Sequence, residues 1–82
     1  MANQTALDDA LYRTGKRIWH LLTPREQEIA GMRLAGFTVA EICDELAIAQ
    51  RTYWQHKQKI LRKIVAFEAT LAERKMANGV VR

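Results

Sequence analysis

The residues best suited to recognition lie between Gln50 and Lys63. Arg51, Gln55, Gln58 and Arg62 recur every three or four positions, with Lys57, Lys59 and Lys63 among them. A glutamine amide offers a donor and an acceptor side by side and can bond an adenine edge twice, while arginine and lysine neutralise phosphates. No nucleophile stands beside a base, no glycine-rich phosphate loop is present, and no carboxylates cluster around a histidine, so binding is expected and catalysis is not. On a helical wheel at about 100° per residue, Tyr53, Ile64, Phe67 and Leu71 fall within about 40° of Ile60, joined by His56. Arg51, Gln55, Gln58 and Arg62 fall opposite, flanked by Trp54 and Val65. One face is a core stripe and the other carries polar donors with one aromatic group.

Four helices must position that face. The first is expected from about Thr5 to Leu22, with Leu7, Leu11, Ile18 and Leu22 on one side. The second opens at Thr23-Pro24-Arg25-Glu26, where threonine caps free amides, proline takes the first helical position and Glu26 reaches back to complete a capping box. It should stop at Gly36, with Phe37 folding back on the last turn. Thr38 and Glu41 form a second capping box, and Val39, Ile42, Cys43 and Leu46 give the third helix its apolar stripe. Ala47-Ile48-Ala49 is a short connection, and the fourth helix starts near Gln50 without a side-chain cap. The fold class expected is all-α, a small helix-turn-helix bundle with an added N-terminal helix and a long C-terminal helix. Val80-Val81 is the one strand-like pair, and a frayed tail is expected from Asn78-Gly79.

Two short helices joined by a brief turn, the second basic, form a helix-turn-helix pattern. A helix about 10–12 Å wide fits the roughly 12 Å major groove of duplex DNA. The run Leu22-Thr23-Pro24-Arg25-Glu26, then Gly36, Glu41-Ile42, Leu46, Ile48, Thr52, His56 and Ile60-Leu61-Arg62-Lys63-Ile64 resembles the LuxR/GerE-type DNA-binding domain over about residues 22–66. The promoter-recognising domain of sigma factors shares a similar opening. The resemblance implies that the helix from about Gln50 is the recognition helix, and that base-reading positions fall on Trp54, Gln55 and Gln58. Three features depart from the family pattern: Ala49 where a serine-like cap is usual, Tyr53 and Trp54 at the helix start, and no breaker at Val65-Ala66-Phe67. The recognition helix is therefore expected to continue toward Met76.

Arg51, Thr52, Lys57, Lys59, Arg62 and Lys63 are the expected phosphate contacts, Thr52 being equally suited to starting the helix. Trp54 suits base contact, packing beside Trp19, or a partner. His56 and Cys43 read as structural residues. Phe67 and Leu71 are candidates for a homodimer seam, unless the N-terminal helix covers them through Leu7, Leu11 and Ile18.

Composition bounds the rest. The chain has 82 residues, 49% apolar and 27% charged, and one cysteine. That fits one small domain, excludes an internal disulfide, and gives no reason to expect a metal or cofactor. Within it, residues 1–22 read as a helical extension, 23–66 as the helix-turn-helix domain and 67–82 as a C-terminal extension. The leading 22 residues leave no room for a ligand-sensing pocket. The net charge of +4 sums from +1 over residues 1–24, −3 over 25–49 and +6 over 50–82. A basic final third reads as a surface for an anionic partner, nucleic acid or a membrane surface, or else as a solvated helix face. With no apolar run of about 18 residues and a polar, acidic start, a cytoplasmic protein without a membrane partner is expected. The function expected is double-stranded DNA binding by a small, dimeric transcriptional regulator. The alternative is a protein-binding module, an anti-activator or adaptor engaging another transcription regulator.

Overall fold

The computed structural model describes the backbone of residues 2–81 and the side chains of residues 7–74, and among these every regular element is helical. Helix α1 spans Ala2–Ile18 and passes into a 3-10 turn at Trp19–Leu21. Helix α2 spans Pro24–Leu34, α3 Val39–Leu46 and α4 Gln50–Val81. This is the all-α helix-turn-helix bundle that the sequence predicts, with its leading helix and long final helix.

Local chemistry sets the boundaries. The Thr23 hydroxyl accepts from the Glu26 amide at 3.2 Å while the Glu26 carboxylate accepts from the Thr23 amide at 2.9 Å. Thr38 and Glu41 repeat the exchange at 3.1 and 2.8 Å. Both short helices also end alike. Gly36 turns left-handed at φ 97°, and the Phe37 amide donates to the Met32 carbonyl at 2.9 Å. At the end of α3, Ala47 takes φ 55° and the Ile48 amide donates to the Cys43 carbonyl at 2.9 Å. Glycine adopts this conformation freely, whereas for Ala47 it costs roughly 1–2 kcal/mol. The stop leaves only Ile48 and Ala49 before α4.

The core joins all four helices. Leu7, Ala10, Leu11 and Ile18 come from α1, Ile29 and Ala30 from α2, Ile42 from α3, and Tyr53, Ile60 and Ile64 from α4, with Leu22 from the α1–α2 connection. Each fully buried leucine or isoleucine contributes roughly 1.5–3 kcal/mol. Polar ties fix α1 to its neighbours. Asp8 receives Arg33 of α2 through both carboxylate oxygens, at 3.0 and 2.7 Å. Glu68 of α4 accepts from Arg13 Nε at 2.6 Å and from the Thr14 hydroxyl. The leading helix thus packs on the α4 stripe, which is buried at Tyr53, Ile60 and Ile64, and leaves the glutamine-bearing side open.

Three boundaries differ from expectation. Helix α1 starts at Ala2, and Trp19–Leu21 tightens to a 3-10 turn. Helix α4 continues through Asn78-Gly79 and Val80-Val81, where a frayed tail and a strand-like pair were expected. A lone glycine disfavours a helix by about 1 kcal/mol, too little to halt one already propagating. At about 1.5 Å per residue, the 32 residues of α4 account for most of the molecule's 52 Å length.

Candidate nucleic-acid interface

The first three turns of α4 separate their side chains sharply. Tyr53 and Ile60 are fully buried. Arg51, Gln55, Gln58, Lys59 and Arg62 are exposed. Gln55, Gln58, Lys59 and Arg62 line a shallow depression of about 480 Å³. Lys59 and Arg62 also border a second, of about 510 Å³, with Thr23, Glu26, His56 and Lys63. The exposed face of α4 is therefore continuous with the start of α2, a juxtaposition that joins residues more than thirty positions apart and that spacing alone does not reveal. The amides of Thr23 and Glu26 at that start are already bonded within the capping box and are not free to meet an anion.

The luxR family of bacterial regulatory proteins, known as GerE, has a family model that matches residues 20–72, more than half of the chain. The chain belongs to that family. No curated protein and no solved structure matches it significantly. LuxR-family chains are helix-turn-helix regulators that bind DNA rather than enzymes, which fits a site made of donors on one helix face. Among the described residues, no helix is long and apolar enough to cross a membrane, and no group of histidine, cysteine or carboxylate side chains is placed to hold a metal.

Two of the expected phosphate contacts are turned inward in this LuxR-family chain. Lys57 is 1% exposed, against the expectation of a surface lysine. Its ammonium has no hydrogen-bond partner among the described residues and lies 4.1 Å from the centre of the Trp54 ring. The reason is angular. Lys57 falls about 60° from Ile60 on the wheel, on the core side of the helix, so its position outweighs its residue type. Burial pushes its pKa down, the Arg33 charge adds to that, and Asp8 opposes it.

Lys63 is half-buried and engaged. Its ammonium donates to Glu26 Oε1 at 2.7 Å and to the Leu21 carbonyl at 3.0 Å. Burial alone would raise the Glu26 pKa. The Lys63 hydrogen bond, the Thr23 amide and the Lys63 and His56 charges outweigh it and hold the carboxyl below its usual range.

The remaining candidates are intermediate. Thr52 and Trp54 are half-buried at the edges of the exposed face, and Trp54 meets Tyr53 edge-on, 5.8 Å between ring centres. His56 and Cys43 are half-buried. Phe67 packs on the core with the Arg17 guanidinium 5.5 Å from its ring centre. Phe67 and Leu71 nevertheless line an open groove of about 440 Å³ with Leu21, Ala66 and Thr70, flanked by Lys63 and Arg74. Helix α1 covers Phe67 only in part.

Proposed function

We propose that this chain is a sequence-specific double-stranded DNA-binding regulator of transcription that inserts the first three turns of α4 into the major groove. The observation that carries the reading is the uncovered row Arg51, Gln55, Gln58, Lys59 and Arg62, backed by a buried stripe that keeps the helix from rolling. Gln55 and Gln58 read base edges, with Trp54 beside them. Arg51, Lys59 and Arg62 take phosphates, with Thr52 at the helix start. Lys63 joins them only by leaving Glu26.

The reading includes a homodimer closed through the Phe67–Leu71 groove. Two copies then meet half-sites about 34–36 Å apart, one duplex turn. Selection of bound duplexes from a random pool, with the protein's solution mass measured alongside, tests both parts. A recurring paired site and a doubled mass support them, while unselective recovery and a single-chain mass count against them.

The groove also favours a second reading, in which the fold serves as an adaptor for another transcription regulator through Leu21, Phe67 and Leu71. Tyr53 gives that reading no support, because it is buried. An adaptor binds random duplex weakly and with little dependence on salt.

A further inference from the structure

Lys57 is conspicuous for what it lacks. Its stem lies among core residues, where an aliphatic side chain would fill the same space without burying a charge. No carboxylate bonds its ammonium. The charged groups that face it are Asp8 from α1 and Arg33 from α2, and those two are already paired with each other at 2.7 Å. What remains beside the ammonium is the π face of Trp54, one helical turn earlier, with its centre 4.1 Å away. A cation at that distance favours one ring orientation over the others, and the attraction strengthens where water is excluded.

Trp54 itself stands at the margin of the exposed face, half-buried, with the Tyr53 ring nearly perpendicular to it at 5.8 Å between centres. One face of the ring is occupied by the Lys57 ammonium, so an approaching duplex meets the other face or the rim. We propose that Lys57 is a positioning residue for DNA recognition, holding the Trp54 ring from within so that its orientation on the reading face is fixed. This rests on the DNA-binding reading above. It assigns Lys57 to specificity rather than to phosphate attraction.

The experiment uses the full chain with Lys57→Met, which keeps the length and removes the charge, and Lys57→Arg, which keeps the cation. Three quantities are compared with wild type: the Trp54 indole N–H resonance (assigned against Trp19 with Trp19→Phe), the base preferences selected from a random duplex pool, and the salt dependence of binding to random duplex. In Lys57→Met the indole resonance shifts and broadens. Preference at the base pair nearest Trp54 relaxes by about fivefold or more, while the log–log salt slope stays at the wild-type value. Lys57→Arg restores the resonance and the preference at least in part.

An unmoved indole resonance, or an unchanged preference in a protein that still selects DNA, overturns the positioning role alone. A slope that falls by about 0.9 in Lys57→Met also overturns it, because Lys57 then neutralises a phosphate in the complex. A wild-type chain that selects no duplex overturns the DNA-binding reading, and this role with it.

Discussion

The Lys63 ammonium lies 2.7 Å from Glu26 Oε1, tying the middle of α4 to the first turn of α2. Glu26 is nearly fully buried while Lys63 keeps about a third of its side-chain surface. One carboxylate therefore serves two roles, closing the capping box on Thr23 and holding α4 in place.

Glu26→Ala removes both roles. Loss of its bond to the Thr23 amide destabilises by about 1 kcal/mol, while the Thr23 hydroxyl still caps the amide of residue 26. Loss of the pair adds less than a fully buried pair would, because Lys63 can turn toward water. The total expected is about 1–3 kcal/mol, read as a lower urea midpoint at unchanged slope. The freed lysine should also tighten binding to random duplex at low salt. An unchanged midpoint would contradict the dual role.

Acid should act through the same residue and through Glu68. The Glu68 carboxyl is held below its usual range first by the Arg13 hydrogen bond and then by that of Thr14, against a smaller effect of burial. For both groups the folded-state pKa lies below the ordinary value of 4.5. Their stabilisation is therefore complete above that value and is lost as pH falls through the folded values. Thermal midpoints should be level from neutral pH to about pH 5 and fall below it. In Glu26→Ala the acid-induced fall should be shallower. A midpoint that stays level to about pH 3 would contradict this.

Lys57→Met should stabilise the fold. Burying an ammonium without a hydrogen bond is unfavourable, and the Trp54 ring offsets only about 0.5–2 kcal/mol of that. Stability should rise by about 1 kcal/mol, or about 4–8 °C in thermal midpoint for a domain of this size. A lower midpoint would mean that the lysine is satisfied by some contact that the fold does not display.

On the proposed function, the exposed row divides into readers and anchors. Gln55→Ala and Gln58→Ala should each cost about 1–3 kcal/mol on the selected site and little on random duplex. Arg51→Ala, Lys59→Ala and Arg62→Ala should weaken both alike, each lowering the salt slope by about 0.9. Titrations on the two duplexes across a salt series separate the groups. Glutamine variants that keep the wild-type site preference would move the reading face elsewhere on the protein.

What the sequence made legible was what adjacent residues decide. The Thr23–Glu26 and Thr38–Glu41 boxes are four-residue chemistry, and each occurs as expected. The stripe of Tyr53, Ile60 and Ile64 follows from period alone. Contacts between distant segments were not legible. Nothing in the spacing pairs Asp8 with Arg33, Arg13 with Glu68 or Lys63 with Glu26, since each pair bridges two helices and forms only once they have packed. Lys57 was misplaced for another reason. Its charge suggested the surface, yet its wheel angle already put it about 60° from Ile60, and on a packed helix angle outweighs residue type. Ala47 shows the same limit at a turn, since the left-handed conformation that Gly36 advertises is taken there by a residue that does not.

The most direct test of DNA recognition by α4 is the affinity of the wild-type chain for random duplex measured across a salt series. With Arg51, Lys59 and Arg62 each neutralising one phosphate, log affinity should fall against log salt with a slope of about −2.7 for a single copy and about twice that for a dimer. Weak binding that salt leaves unchanged would contradict the account and make the fold a platform for another protein.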